Sequence, residues 1–480
     1  MKKNHKYLSF FAVITVTITL GCTKFLDVKP EDKFIQDQVF TNRSSINQVL
    51  NGVYMQLAST TLYGRNLTWS TTELLGQRYN TSTSQSPWTV FSNYSYGDQN
   101  VMDAFESIWE NAYVAILGAN NFIESLSKTS GILSEAEKAQ LLGEAYGLRA
   151  FLHFDLLRLY GPMPANADSV LTSIPYYTRP VAAAEEIIPA NRVIDNIIAD
   201  LRQAEEYLSN DPVRTTGVNP VVLNDGNDFY RTFRNRRMNY YAVKALQARV
   251  YLYRNDKASA LLAAKAALTG EIYFPWTTFA SIYTEKVNPD RIFSNEVLFG
   301  IQNPTMYLIH DATFNGAISD AAVLASQPAR LAAVFENLEG DYRYTTTWLY
   351  PESGKNYRTF FKYADIVDKT ILRRMFQPLI RKTELYYIIS ECEPDKTEQL
   401  RVLNQVRFNR GLADLASTVT VNTELQKEYQ KEFFGEGQLF FYYKRKGITA
   451  IPNGGAASGN ITMNAAKYVV PLPLSETITR

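Results

Sequence analysis

Apolar residues return every three or four positions over long stretches of this 480-residue chain, the spacing that turns one face of an α-helix toward a core. The clearest run predicts a helix over residues 134–160, with Leu141, Ala145, Leu148, Leu152 and Leu159 on its buried side. Ser134 and Glu137 form a capping box at its start. Gly161 and Pro162 stop it, glycine by turning left-handed and proline by breaking the ladder. Upstream, residues 105–126 bring Ile108, Ala112, Ala115 and Ala119 to one side. Downstream, Val193, Ile197, Leu201, Ala204 and Leu208 mark a third helix.

Residues 240–253 and 256–268 predict a helical hairpin across a minimal turn at Asn255. Its facing positions are small, among them Ala242, Ala245, Ala248, Ala260 and Ala264. Small residues let two helices approach closely, as in stacked tetratricopeptide hairpins, although the full consensus of that repeat is absent. Between about 270 and 377 the helical period fades into turns and aromatics, with a short strand expected over 296–301. Helices return over 381–391, 396–409 and 423–434. The expected fold class is therefore mostly α: tetratricopeptide-like hairpins packed with an irregular loop-rich region and a few short strands. No low-complexity linker divides the chain, so residues 22–480 read as one body. It has a helical part (22–270), a loop-rich variable part (271–377), and C-terminal helices and tail (378–480).

The first 21 residues stand apart. Lys2, Lys3 and Lys6 precede an apolar run from 8 to 20, which is too short to remain as a spanning helix. Leu20-Gly21-Cys22 behind it resembles a bacterial lipobox, so residues 1–21 are expected to be removed and Cys22 lipidated. More than one acyl chain on Cys22 would hold the body firmly on a membrane. Without those 21 residues, which carry three lysines and no acid, 46 basic residues face 48 acidic ones. That balance gives no electrostatic reason to expect nucleic acid or an anionic surface as partner. Cys392 is then left without a disulfide partner and reads as a small core residue.

Of the three histidines, His5 lies in the leader, and His153 and His310 lack the sequence company of a metal site or a nucleophile. No metal and no cofactor is expected. Arg149, His153, Asp155 and Arg158 read as polar residues of one long helix pairing with neighbours rather than as a catalytic set. Lys444-Arg445-Lys446 reads as a solvated run.

Several blocks fall together into one resemblance. Cys22-x-x-Phe25-Leu26-Asp27-x-x-Pro30 resembles the mature start of SusD/RagB-type lipoproteins of Bacteroidetes. The stretch 143–164 (GEAYGLRAFLHFDLLRLYGPMP) resembles their most diagnostic helix and its Tyr-Gly-Pro exit. In the expected order follow KALQARVYLYRND at 244–256, Asn295-Glu296-Val297-Leu298-Phe299, and Leu403-Asn404-x-Val406-Arg407-x-x-Arg410-Gly411-Leu412. Glu432-Phe433-x-Gly435-Glu436-Gly437 and Val470-Pro471-Leu472-Pro473 complete them. One departure comes after Gly437, where Tyr442 stands in place of the family's usual acid. The resemblance implies a nutrient-binding lipoprotein of the outer membrane, facing the cell exterior. Such a protein sits as a hinged lid on a SusC-like TonB-dependent transporter. It takes up glycans or oligosaccharides, in some members peptides, and performs no chemistry.

Sugar recognition needs flat apolar surface for C–H faces and polar groups for hydroxyls, carried on loops over a rigid scaffold. The chain is rich in suitable rings, with 31 Tyr, 26 Phe and 5 Trp, and two stretches offer them on loops. The first, 68–98, holds Trp69, Arg78, Tyr79, Trp88, Tyr94 and Tyr96 among many small polar residues. The second, in the variable part, holds Trp276, Tyr283, Tyr307, Trp348, Tyr350 and Tyr357. Trp109 and Trp69 are assigned to the core. Trp88, beside Pro87 in a polar run, is the foremost candidate, and its position resembles that of the family's stacking aromatic. Arg78, Asn80 and Asn93 are expected to hydrogen-bond the ligand beside it, with Tyr79, Tyr94, Tyr96, Trp276 and Trp348 as further ligand contacts. Two other classes stay open: a surface glycoside hydrolase, for which no carboxylate pair stands out, and a scaffold that binds only protein.

Overall fold

The structure, a computed structural model, describes residues 40–164, 168–181 and 183–478. The leader, Cys22 and the Phe25–Pro30 motif lie outside the described residues.

The longer helices are α1 (Arg43–Leu57), α2 (Gln99–Lys128), α3 (Glu135–Tyr160), α4 (Ala190–Tyr207), α5 (Tyr240–Tyr253) and α6 (Lys257–Leu268). They continue as α7 (Met306–Phe314), α8 (Lys382–Cys392), α9 (Lys396–Phe408), α10 (Val421–Glu432) and α11 (Gln438–Lys446). Each of α1 to α6 packs on the next, and α8 and α9 extend the row beyond α6. This is the stacked-hairpin architecture that the small-residue spacing predicts. Ala260, Ala263, Ala264 and Ala267 bury the inner face of α6, which lets it lie close to both α5 and α8.

Strands occur only as two-stranded antiparallel ribbons among the described residues. The longest joins β1 (Val297–Gln302), the expected strand, to a distant partner, β2 (Phe376–Arg381). Trp348–Leu349 pairs with Thr359–Phe360 in the same part of the chain.

Local chemistry explains the helix ends. Asp98 caps α2 by accepting from the Asn100 amide, which starts the helix six residues before the apolar period at Phe105 does. The capping box of α3 forms as expected, with Ser134 and Glu137 satisfying each other's amides. The exit of α3 differs from expectation. Gly161 is extended (φ −72°, ψ 165°), not left-handed, and it is small for a different reason. A Cβ there would lie 2.5 Å from the Leu157 carbonyl oxygen. Lys444 then supplies the cap, its ammonium donating to the carbonyls of Arg158 (2.8 Å) and Gly161 (2.7 Å).

That contact overturns the reading of 444–446 as a solvated run. Lys444 is fully buried, and Arg445 makes a bidentate pair with Glu391 at 2.7 Å for each bond. Helix α11 packs between α10 and the short helix Thr71–Leu75, so its basic residues meet protein rather than water. Tyr442, in place of an acid, stacks on Tyr429 of α10 at 4.2 Å.

Helix α3 is buried on nearly all sides from Gln140 onward. Its polar residues are accordingly paired inside: Arg149 forms two bonds with Asp200 (2.6 and 2.7 Å), and Arg158 pairs with Asp155. His153 accepts from the Tyr177 amide at Nε2 (3.2 Å), so Nδ1 carries the proton and donates to the Arg149 carbonyl (2.9 Å). Burial pushes this imidazole down to about 3, which keeps it neutral.

Candidate functional site

The loop that carries the first aromatic stretch hangs on a buried acid. Glu73, in the short helix Thr71–Leu75, accepts from the Gly437 amide at 2.8 Å and faces Arg78 Nε at 3.2 Å. Burial pushes its carboxyl up to about 7 against the opposing pull of Arg78 and the amides. The Arg78 guanidinium lies over the Phe434 ring, 3.6 Å from its centroid.

Four expected contact residues therefore belong to the interior. Arg78 is held by Glu73 and Phe434, and Tyr79 donates to the Trp69 carbonyl (2.9 Å). Tyr94 donates to the Leu75 carbonyl (2.8 Å), and Trp348 is wholly enclosed between Phe360 and Phe434. Each is an anchor that fixes the loop or its floor. None offers a face to a ligand. Trp276 is half-buried elsewhere, on α8, with the Lys382 ammonium 3.9 Å above its ring and Tyr386 beside it.

What remains near the surface converges from four distant segments. Trp88 is half-buried, and its indole N–H donates to the Ala322 carbonyl at 2.7 Å. The Asn80 amide donates to the Ala325 carbonyl at 2.8 Å, and its side chain closes a turn onto Ser82. The 315–326 segment in turn meets the 350–358 loop. Asp320 accepts from the Tyr357 hydroxyl (2.6 Å) and pairs with Lys355, and these two bonds hold its carboxyl below the usual range. Gly316 lets Pro351 approach, since a Cβ there would sit 2.4 Å from the proline's own. Tyr350 is 64% exposed, with the Arg358 guanidinium 5.3 Å over its ring. Arg330 ties in the 453–459 turn through the carbonyls of Asn453 (3.0 Å) and Ala456 (2.9 Å).

The two aromatic stretches that lie far apart in sequence are thus joined through residues 315–330. Asn93 is exposed at the end of the short helix Thr89–Ser92. Tyr96 is half-buried, its hydroxyl bonded to the Lys467 carbonyl (2.7 Å). The face offers ring surface at Trp88 and Tyr350 and charged or hydroxyl groups at Tyr357, Lys355, Arg358 and Asp320. Among the described residues no group of three His, Cys, Asp or Glu side chains is placed to hold a metal ion.

Residues 24–220 match a family described as "SusD-like: Starch-binding associating with outer membrane". A SusD-like protein of Formosa agariphila is 30% identical over 213 residues, covering 42% of this chain and 38% of that relative. One from Bacteroides ovatus is 26% identical over 204 residues, 41% of this chain and 34% of that relative. The chain thus matches well under half the length of these curated relatives. The fold likeness runs further. A SusD superfamily protein of Bacteroides thetaiotaomicron superposes with a TM-score of 0.72 at 19% identity, covering 92% of this chain and 98% of the other. A laminarin-binding SusD-like protein gives a TM-score of 0.62 at 16% identity over 91% and 97% of the two chains.

Residues 24–220 are thus similar to the SusD-like family, and the fold is that of SusD superfamily structures.

The residues that carry the SusD-like resemblance are structural in this fold. Glu296, Arg410, Glu432 and Glu436 are buried together in one ionic network. Gly435 and Gly437 have φ of +73° and +69°, and a Cβ on Gly437 would meet the Leu67 carbonyl oxygen at 2.1 Å. The surface groups Asp320, Lys355 and Arg358 escape sequence reasoning, because isolated charged residues in an aperiodic loop carry no pattern that marks them. Among the described residues no helix is long and apolar enough to cross a membrane.

Proposed function

We propose that this SusD-like protein is a non-catalytic glycan-binding lipoprotein displayed on the outer membrane. In this reading, sugar stacks on the loop face around Trp88 and Tyr350, with Tyr357, Lys355, Arg358, Asn80 and Asn93 reaching its hydroxyls. The observation that carries the reading is the convergence of exposed ring surface and polar groups on a loop face anchored by buried residues. A rigid support of that kind suits recognition of a flat, hydroxyl-rich ligand. The family's description as starch-binding and a structural relative named for laminarin binding support the ligand class.

The bound glycan would pass to a SusC-like TonB-dependent transporter, with the body tethered through lipidated Cys22. The family resemblance and the lipobox-like Leu20-Gly21-Cys22 support these two steps. Isothermal titration of the mature protein with starch- and laminarin-derived oligosaccharides, beside a peptide panel, tests the ligand class. Glycan binding that falls at least roughly tenfold in Trp88→Ala, about 1.4 kcal/mol, is the expected result. Binding of peptides alone would overturn it. Cys22→Ser is expected to release the protein from the membrane fraction, and retention there would overturn the tether.

A further inference from the structure

Outside the main hydrophobic cluster, the chain places three aromatic rings together. Phe279 and Tyr283, at the start and within the π-helical turn Ala280–Thr284, stack at 5.1 Å with their planes 18° apart. Tyr342 closes the group at 5.1 Å from Phe279 and 6.3 Å from Tyr283. None of the three joins the main hydrophobic cluster, and Phe279 and Tyr283 are 49% and 38% exposed. Their assembly is nonetheless built. Gly411 (φ +77°) leaves room for the Tyr342 ring, which a Cβ would meet at 2.3 Å. The Tyr342 amide donates to the Arg410 carbonyl at 3.0 Å, pinning the ring's backbone to the end of α9.

Two features point to a polar ligand with an apolar face. The Tyr283 and Tyr342 hydroxyls make no hydrogen bond among the described residues, so both are available. The Lys286 ammonium rests 4.0 Å over the Tyr283 ring and is itself exposed. An exposed cation–π contact is weak, so an arriving ring displaces it readily and gains three donors beside it. A pyranose meets each requirement: a C–H face for the ring, hydroxyls for the phenols and for the ammonium.

We propose that Phe279, Tyr283, Tyr342 and Lys286 form a second carbohydrate-stacking site, distinct from the Trp88 face. It rests on the glycan-binding reading, and it gives the protein two grips on one long polymer. Two linked weak contacts raise affinity for a long chain without altering that for each short one.

The test is titration of the mature protein with maltohexaose and laminarihexaose, and with starch and laminarin as polymers. Wild type is expected to take up two equivalents of the hexaose it recognises. Phe279→Ala/Tyr283→Ala and, separately, Trp88→Ala should each take up one. Polymer affinity should fall roughly tenfold in the double variant. Lys286→Ala keeps all three rings and should weaken the second equivalent alone. One Trp88-dependent equivalent in wild type, unchanged in the double variant, overturns the second site and leaves the glycan reading standing. Wild type that binds none of the four probes overturns both. Unchanged glycan stoichiometry with loss of transporter capture in the double variant would make the rings a protein contact and also overturn the proposal.

Discussion

Arg410 and Glu432 meet at 2.8 Å with neither side chain exposed to solvent, and they join the end of α9 to the end of α10. Glu432 is shared further by Arg343 at 2.9 Å and by Arg381, while Arg410 also holds Glu296 at 2.6 Å. Glu296 immediately precedes β1 and Arg381 ends β2, so the network pins that ribbon to the C-terminal helices. Three guanidinium groups around one carboxylate leave little choice of register.

Burial alone would raise the Glu432 carboxyl, yet Arg410, Arg381 and Arg343 outweigh it and hold it well below the usual range. A depressed folded value means stability that is present above the unfolded value and lost as pH falls through the folded one. Glu432→Gln is therefore expected to cost about 3–5 kcal/mol near pH 7, because it strands buried cations. The gap to wild type should narrow in acid. Urea unfolding at several pH values measures both, and a variant equal to wild type at neutral pH would refute the network's role.

Glu73 has the opposite sign. Its folded value of about 7 lies above that of an unfolded glutamate, so the folded state binds more protons between pH 4.5 and 7. Stability from this group falls as pH rises through that window, by on the order of 3 kcal/mol. Glu73→Gln should flatten this part of the profile relative to wild type while keeping an acceptor for the Gly437 amide. Parallel profiles for the two proteins between pH 4.5 and 8 would show that the carboxylate is not taxed by burial.

Trp88 and Trp348 make a direct comparison of two tryptophans from the two aromatic stretches. Trp348→Ala empties a fully enclosed site and is expected to cost about 3–5 kcal/mol. Trp88→Ala should move the melting transition far less, since half-exposed indole is lost with one hydrogen bond. Thermal melts of both variants, read beside their oligosaccharide affinities, separate anchor from contact residue. A larger Tm loss in Trp88→Ala would return Trp88 to the core.

These pairs also show what the sequence carries. The capping box of α3 and the small faces of α5 and α6 are local, so spacing alone reveals them. Ile46, Leu50, Val53, Tyr54 and Leu57 give α1 the same period. Helix α11 carries no such signal, because Leu439, Phe440, Phe441, Tyr442 and Tyr443 are all buried and a helix enclosed on every side loses its polar stripe. The site was half legible for a related reason. Aromatic loops stand out by composition, but whether a ring faces water depends on segments more than 200 residues away, as Ala322 is from Trp88. Trp348 and Tyr350 lie two positions apart, and only the fold separates enclosed from exposed.

Lys444 and Lys446 test the corrected reading of the basic run. The Lys444 ammonium satisfies carbonyls at the end of α3 that α-helical geometry leaves without partners. Lys444→Met keeps the buried stem but strands those acceptors, and is expected to lower stability by about 1–3 kcal/mol. Lys446 sits 3.3 Å from Glu391, which Arg445 already holds through both oxygens, so Lys446→Met should stay within about 0.5 kcal/mol of wild type. Denaturant midpoints of the two variants decide the matter. Equal, small effects would mean that α3 ends in water after all, and that α11 packs against it through its rings alone.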